Sequence, residues 1–421
     1  MSGSILTGCF PRLFCALLWK RLEIKDIRPS GGASSPFSVA LLSASYALGA
    51  FNLVKSYSGS TFFDGWQYDS VPGYDNTTNG HVFYLDGAHA NASHLTYVND
   101  AGRAIIKVDN ETVVSYPNKR NSVRISTEDF FDIGSVFLFD ATHVPYGCSV
   151  WPSFWTTGNH WPNTGEIDIL ESYNLEQANQ MTLHTTEGCS QAPNVQQVGK
   201  TNDTDCGAGG STIGCTVVET KANSFGEDFA NNQGGVWAAW FDETGISVWF
   251  WSRKDVPASV SGATNTIDPT TFGTPSAAWP SGSSCDISKA FGKQQLVIDI
   301  TLCGDKAGDP QIYQSTCGGP LRNATYDTCY QLDVIQQPTV TTPNQTALGN
   351  AWFEISYVKV FTSDTAEVAN SSGATAPAAP TSTSANGTSS ADGKNDALSV
   401  HHMYTPVVVA TLLAVASCLL L

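Results

Sequence analysis

Three carboxylates stand close together in an otherwise apolar stretch of the sequence. Glu166, Asp168 and Glu171 are interleaved with isoleucine and leucine. Isoleucine favours strands, and residues two apart in a strand share a face, so Glu166 and Asp168 should point the same way. Glu171 should point away unless a β-bulge, one extra residue at Ile169 or Leu170, returns it to that face. We predict a bulged strand and not a helix, because on a helix the three carboxylates would be scattered around the circumference.

Two carboxyl groups on one face of a sheet suit the cleavage of a glycosidic bond. A retaining glycosidase needs a nucleophilic carboxylate and a carboxylic acid that protonates the leaving oxygen, held roughly 5 to 5.5 Å apart. Asp168 stands between the two glutamates, where a hydrogen bond or a shared proton can keep their pKa values apart. The alternative interpretation is a solvated acidic face on an amphipathic strand.

A tryptophan-rich segment leads into these carboxylates. It reads Trp-Pro-Ser-Phe-Trp at 151–155 and Trp-Pro-Asn-Thr-Gly at 161–165, followed directly by Glu-Ile-Asp-Ile-Leu-Glu. This run resembles the active-site signature of glycoside hydrolase family 16, and its two residues between Asp168 and Glu171 match the fungal laminarinase-like branch. Similar blocks extend from near Ala50 to near Phe361. The resemblance implies an all-β jelly-roll sandwich of two antiparallel sheets with a concave substrate cleft.

The same resemblance implies a retaining endo-1,3(4)-β-glucanase. Glu166 would be its nucleophile, Asp168 the helper of the nucleophile, and Glu171 the acid/base. One position departs from the pattern, because Lys306 stands where fungal laminarinases commonly have an aromatic residue. Preference for β-1,3 or for mixed 1,3/1,4 linkages therefore stays open. The residues expected to bind substrate are Trp155, Trp161, His184 and Arg124.

Two other functions fit the same residues. A cell-wall transglycosylase would use the same chemistry, with a sugar hydroxyl in place of water as the acceptor. A non-catalytic β-glucan-binding protein would not need Glu166, Asp168 and Glu171 together, so the intact set counts against it.

The composition agrees with an enzyme that acts on a neutral polymer. Only 14% of the residues are charged and 11% are aromatic, including 11 Trp, and flat aromatic faces suit the apolar faces of sugar rings. The net charge of -17, from 21 Lys and Arg against 38 Asp and Glu, argues against nucleic acid and anionic membrane surfaces as partners. We expect a monomer that binds β-glucan and uses no metal and no cofactor.

The cysteines indicate an oxidising compartment. Of 11 Cys, eight lie in the body of the chain, an even number that suits disulfides better than a zinc site, with a pairing that the sequence leaves open. Asn-x-Ser/Thr glycosylation sequons point to the same compartment. The eight cysteines are Cys148, Cys189, Cys206, Cys215, Cys285, Cys303, Cys317 and Cys329, and the sequons begin at Asn76, Asn91, Asn110, Asn202, Asn323, Asn344, Asn370 and Asn386.

The N-terminal residues 1–49 are interpreted as a targeting segment. Phe37 to Ala50 is uncharged and rich in Ala, Leu and Ser, which is typical of a signal peptide cleaved between 47 and 50. The alternative is an uncleaved signal anchor from Phe37 to Val54.

The C-terminal region changes composition twice. Residues 363–397 are rich in Ser, Thr, Ala and Pro, which predicts a stalk without a packed core. Residues 398–421 end in an apolar run, a pattern typical of a GPI-attachment signal with Gly393 or Asn395 as the attachment residue. The alternative is a tail-anchored helix, for which the run is short. We therefore expect a secreted protein held at the cell surface or wall, contacting the membrane only through a lipid anchor.

Residues 50–362 are expected to form the catalytic domain. Short apolar runs separated by Gly, Asn and Pro predict strands, and the body shows no long apolar period of 3.6 residues. That pattern indicates a sandwich or a barrel. The predicted strands include the runs 104–108, 136–139, 236–240 and 296–300.

Overall fold

The computed structural model describes residues 50–70, 75, 77–209, 212–318, 326–335 and 348–370. Segments 1–49 and 371–421, with the predicted signal peptide, most of the stalk and the GPI signal, lie outside the described residues. Residues 51–54, which the signal-anchor alternative places in a membrane span, begin the first strand. None of the helices in the described residues is long and apolar enough to cross a membrane.

Strands are the main regular structure of the described residues, with short helices in the connections. The strands are β1 Phe51–Ser58, β2 Trp66–Tyr68, β3 Val82–Tyr84, β4 Thr96–Val98, β5 Ala104–Lys107, β6 Arg120–Ser122, β7 Arg124–Thr127, β8 Asp129–Phe131, β9 Ser135–His143, β10 Val150–Thr157, β11 Glu166–Glu171, β12 Gln180–His184, β13 Lys200–Thr201, β14 Ala208–Gly209, β15 Thr212–Ile213, β16 Cys215–Val218, β17 Gly235–Asp242, β18 Gly245–Ser252, β19 Thr266–Ile267, β20 Ala277–Pro280, β21 Gln295–Leu302, β22 Trp352–Thr362 and β23 Val368–Asn370. The α-helices are α1 Gly87–Ala92, α2 Gly226–Asn231, α3 Ala258–Ser261, α4 Ile287–Ala290, α5 Gly304–Ala307, α6 Pro310–Cys317 and α7 Tyr326–Cys329. Single turns of 3₁₀-helix lie at Gly59–Thr61, Arg253–Asp255 and Pro269–Thr271, and a π-helical turn lies at Tyr330–Val334.

Two large antiparallel sheets form the sandwich. One has the strand order β19-β1-β22-β9-β17-β18-β20, with β5 and β4 added beside β22. The other has the order β13-β16-β12-β11-β10-β21-β7-β2 and carries the carboxylates on β11. The predicted all-β sandwich is confirmed, and the four runs predicted as strands lie in β5, β9, β17 and β21.

The main core lies between the two sheets, where apolar side chains from both inner faces meet. Phe139 of β9 stacks on Phe154 of β10 with ring centroids 4.4 Å apart. Alternate residues of β9 point the other way, and Val136 and Leu138 pack in a second apolar cluster on the outer face of that sheet. Trp249 and Trp251 of β18 belong to this outer cluster, whereas Phe250 belongs to the main core. Because both faces of the sheet are covered at β9, β17 and β18, these strands are nearly continuous apolar runs instead of alternating ones.

All eight body cysteines form disulfides. The pairs are Cys148–Cys317, Cys189–Cys285, Cys206–Cys215 and Cys303–Cys329. Cys148–Cys317 holds the end of α6 to the residues before β10, and Cys303–Cys329 joins the residue after β21 to α7, so the segment with α5 and α6 is fixed at both ends. This segment borders the cleft described next.

Candidate active site

The bulge in β11 is present at Ile169. On β10, Trp155 lies opposite Asp168 and Phe154 lies opposite Leu170, so Ile169 has no partner there. The pairing of β11 with β12 shifts at the same place. Ile169 and Leu170 are therefore both fully buried in the core, although they are adjacent in sequence. The predicted bulge is confirmed.

As a result, the three carboxylates line one cleft. Glu166, Asp168 and Glu171 all face a cavity of about 430 Å³ on the outer face of the eight-stranded sheet. The turn before β11 is fixed by Gly165, which has φ +70 and whose missing side chain leaves room for the ring of Phe291. Any side chain at this glycine would meet that ring and move the start of β11.

Glu166 and Asp168 form a buried, hydrogen-bonded pair of acids. Burial raises the pKa of Glu166 well above its usual range, and the nearby charge of Asp168 raises it further. Burial also raises the pKa of Asp168 well above its usual range, and Glu171 adds to this, while the hydrogen bond with Glu166 and the charge of Lys306 oppose it. Two close carboxylates that repel each other tend to retain one proton between them.

Glu171 is held at its outer end by an indole. Trp151 Nε1 donates a hydrogen bond to Glu171 Oε1 at 2.8 Å. Ser153 of β10 lies directly opposite Glu171, and Trp151 is two residues before Ser153 on the same face of that strand. This contact gives the Glu171 carboxyl a defined direction in the cleft.

His184 lies on the other side of the acid pair. It is opposite Glu166 in the β11–β12 register, and its Nε2 is 3.2 Å from Asp168 Oδ2 and 3.9 Å from Glu166 Oε1. One ligand atom from each of these three residues lies within 4.8 Å of the others, so the group has the spacing needed to hold a metal ion. The imidazole of His184 therefore lies directly beside both carboxylates.

A row of polar side chains crosses the sheet from the acids to Arg124. In register, Glu171 lies opposite Ser153, Ser153 opposite Asp299, and Asp299 opposite Arg124. Arg124 Nε is 4.0 Å from Asp299 Oδ2 and 3.5 Å from Asp69 Oδ2. Burial raises the pKa of Asp299 to about 7, although the charge of Arg124 opposes the shift.

Aromatic rings provide the apolar surface of the cleft. The guanidinium of Arg124 lies 5.0 Å from the ring centroid of Trp155, within cation–π range. Trp161 lies on the loop between β10 and β11 and is 56% exposed, which is unusual for a tryptophan without a ligand to cover it. An exposed ring beside buried acids is a suitable platform for a sugar.

The structure brings together all seven predicted site residues. Each of them lines the same cleft, as does Lys306. Sequence reasoning missed Trp151 and Asp299. The sequence did contain a signal for Asp299, since it is an aspartate inside an otherwise apolar strand. A charged side chain at such a position needs a polar surface to face. Nothing in the sequence marked Trp151 as a partner of Glu171, because its position depends on the pairing of two strands.

Comparison with known proteins identifies the family. Residues 66–361 match the family described as an XgeA-like, catalytic GH16 domain. A probable endo-1,3(4)-β-glucanase of Aspergillus fumigatus is 35% identical over 314 residues, which cover 74% of this chain and 45% of the relative. The chain thus spans about half the length of the curated relatives that it matches.

Solved structures agree with this match. A GH16 laminarinase from Phanerochaete chrysosporium, solved with β-glucans in its donor and acceptor sites, superposes with a TM-score of 0.66 at 31% identity, covering 75% of this chain and 100% of the other. An elongating GH family 16 β-1,3-glucosyltransferase gives a TM-score of 0.66 at 32% identity, covering 74% of this chain and 100% of the other. With the bulged carboxylate strand in its cleft, the chain belongs to glycoside hydrolase family 16, in the branch that contains fungal endo-1,3(4)-β-glucanases.

Proposed function

We propose that the protein is a retaining endo-β-glucanase that cleaves β-1,3-linked or mixed 1,3/1,4-linked glucans. The observation that carries this proposal is the bulge at Ile169, because it places Glu166, Asp168 and Glu171 on one face of the cleft. The names of the fungal relatives and the β-glucans bound to the similar laminarinase support the substrate class.

The reaction proceeds in two displacements. The Glu166 carboxylate attacks the anomeric carbon, while Glu171 gives its proton to the glycosidic oxygen and the carbon–oxygen bond breaks. The product of this step is a glycosyl ester on Glu166 and a shortened glucan with a free hydroxyl. Glu171, now a carboxylate, takes a proton from water, whose oxygen attacks the anomeric carbon and releases Glu166.

Asp168 shares one proton with the nucleophile. The Glu166 and Asp168 side chains are only 16% and 4% exposed, and two buried carboxylates this close retain a proton between them. Their hydrogen bond raises the pKa of Glu166 and lowers that of Asp168, so the proton lies on Glu166 at rest and passes to Asp168 as the Glu166 carboxylate attacks. His184 Nε2 lies 3.2 Å from Asp168 Oδ2, on the other side of the aspartate.

Glucan binding involves the aromatic and charged walls of the cleft. Trp155 and Trp161 stack on sugar rings, and Arg124 and His184 bind hydroxyl groups. Lys306 replaces the aromatic residue of similar enzymes by a hydrogen-bond donor, which changes the recognition of the sugar at that position.

Transglycosylation is the second candidate. The second displacement forms a new glycosidic bond if a sugar hydroxyl, and not water, attacks the ester on Glu166. The similarity to an elongating β-1,3-glucosyltransferase at 32% identity favours this alternative specifically. A non-catalytic glucan-binding protein has no comparable support, since the whole carboxylate set is present.

Product analysis tests these functions. We expect the purified protein to release oligosaccharides shorter than the substrate from laminarin or mixed-linkage glucan, and none from xyloglucan. Products longer than the donor would establish the transglycosylase instead. Binding to laminarin without any products would contradict both enzymatic functions.

Variants of the two glutamates test the residue roles. Glu166→Gln and Glu171→Gln should each lower kcat by at least about 1000-fold on laminarin, because each removes a group needed in the transition state. Glu187→Gln, on an exposed glutamate outside the cleft, is the matched control and should be unaffected. Near-normal activity of either cleft variant, with its folding intact, would refute the assignment.

We also propose that the protein is secreted, glycosylated and GPI-anchored as a monomer at the cell surface or wall. The four disulfides support an oxidising compartment. Asn91 and Asn202, two of the predicted sequon residues, are exposed and so accessible to a glycosyltransferase. Phosphatidylinositol-specific phospholipase C should release the activity from intact cells, and full retention after treatment would refute the lipid anchor.

A further inference from the structure

Asn179 closes the gap that the bulge opens in the backbone ladder. This residue directly precedes β12 and is completely buried. Its side-chain Oδ1 accepts a hydrogen bond from the backbone N–H of Glu171 at 3.0 Å. Its Nδ2 donates to the backbone carbonyl of Ile169, also at 3.0 Å. One amide side chain therefore satisfies both backbone groups that flank Leu170.

The amide of Asn179 is well suited to this position. A bulge leaves backbone groups without ladder partners, and a buried group without a partner destabilises the fold. A side-chain amide has N–H donors and a carbonyl acceptor side by side, like the N–H and C=O of one strand residue on its hydrogen-bonding side. It can therefore replace the missing ladder bonds on both sides of the bulge.

Asn179 is itself fixed to the surrounding structure. Its backbone N–H donates to the hydroxyl of Ser224 at 3.0 Å, and its carbonyl accepts from the N–H of Glu219 at 2.9 Å. The residue thus connects the bulge to the chain that follows β16. It does not line the cleft and so does not touch the substrate.

We propose that Asn179 is a positioning residue for Glu171. It holds the backbone of Glu171 in the bulged register, while Trp151 holds the outer end of the same side chain at 2.8 Å. Both anchors together keep the carboxyl beside the leaving oxygen. This inference rests on the proposed role of Glu171 as the acid/base.

The proposal predicts a defect in proton donation specifically. Misplacing a catalytic group by about 1 Å can lower the rate roughly 100-fold. The defect should affect substrates whose leaving group needs a proton, such as the sugar hydroxyl of laminarin. It should be small for a 2,4-dinitrophenyl β-laminaribioside, whose leaving group departs without protonation.

The experiment compares both substrates in the full-length protein. We expect Asn179→Ala to lower kcat/KM on laminarin by roughly 100-fold and on the activated aryl glycoside by less than about 10-fold. Asn179→Asp has the same shape, keeps the acceptor for Glu171 and loses the donor to Ile169. Because only the bond on the Ile169 side of the bulge is lost, Asn179→Asp should show a smaller difference between the two substrates in the same direction, and it serves if the alanine variant does not fold.

Gln191→Ala is the matched control for loss of a buried amide. Gln191 Nε2 donates to the carbonyl of Ala278 at 2.8 Å, and its Oε1 accepts from Thr201 at 2.7 Å, outside the cleft. It should not distinguish the two substrates. Equal losses on both substrates in a folded Asn179 variant, or no loss on laminarin, would overturn the proposal.

Glu171→Gln separates failure of this inference from failure of the proposed function. If Glu171→Gln also lowers kcat/KM by the same factor on both substrates, the acid/base role of Glu171 is wrong. If Glu171→Gln distinguishes the substrates and the folded Asn179 variants do not, only the role of Asn179 is wrong.

Discussion

Replacing Asp299 by asparagine should make the stability of the protein less dependent on pH. Burial raises the pKa of Asp299 from its ordinary value of 3.8 to about 7 in the folded protein. The folded state therefore holds this proton more tightly than the unfolded chain does. The contribution of Asp299 to stability is greatest below about pH 4, and it is lost as the pH rises from about 4 to about 7.

The magnitude follows from the size of the shift. One pKa unit corresponds to about 1.36 kcal/mol, so the shift of about three units corresponds to about 4 kcal/mol. At pH 4 the folded wild type carries a neutral carboxyl at 299, which asparagine imitates in shape. At pH 8 only the wild type has a buried charge there. The attraction of Arg124 for the charged carboxylate is already contained in the pKa of about 7, because Arg124 opposes the upward shift.

Urea unfolding at pH 4, 6 and 8 measures the effect. The measured quantity is the free energy of unfolding of Asp299→Asn minus that of the wild type. We expect this difference to increase by as much as about 4 kcal/mol from pH 4 to pH 8, because only the wild type loses stability. Asp100→Asn, on an exposed aspartate in a turn, is the matched control and should give a difference that does not vary with pH. A difference for Asp299→Asn that is constant, or that moves in the opposite direction, would refute this reasoning.

Three further variants test the walls of the cleft. Trp161→Ala should leave the free energy of unfolding within about 0.5 kcal/mol of wild type, because the ring is 56% exposed. It should raise KM for laminarin roughly 3- to 10-fold, and an unchanged KM would argue against a role of the ring in sugar binding. Asp168→Asn removes a charge that raises the pKa of Glu166, so the acidic limb of the pH profile of kcat/KM should move to lower pH, and an upward shift would contradict the pairing. Lys306→Met removes a charge that lowers the pKa of Asp168, so the same limb should move to higher pH, and a downward shift would count against that electrostatic contact.

Local sequence was sufficient for much of the fold and of the acid set. Short apolar runs and turn residues predicted the strands in β5, β9, β17 and β21, because these signals depend on neighbours in the chain. The odd spacing between Asp168 and Glu171 predicted the bulge for the same reason. Trp155 and Trp161 were assigned to the cleft by their proximity to the acids, and His184 and Arg124 by resemblance to the family, and all four line it.

Other features depended on which distant segments meet. Eight cysteines allow 105 pairings, and only the folded chain selects four bonds among them. Trp249 and Trp251 were left without a role, because alternation shows that they share a face but does not show what covers it. The structure places both in the outer apolar cluster.

The sequence by itself determined that Glu166, Asp168 and Glu171 share one face of a bulged strand, since strand geometry and spacing are local properties. The tertiary structure alone decided what surrounds them. It brought Trp151 to the carboxyl of Glu171, Asp299 to Arg124 and the amide of Asn179 to the bulge. The first two contacts join residues on different strands, and the third joins β11 to the residue before β12. All three depend on strand order and register, which are fixed only when the whole sandwich packs.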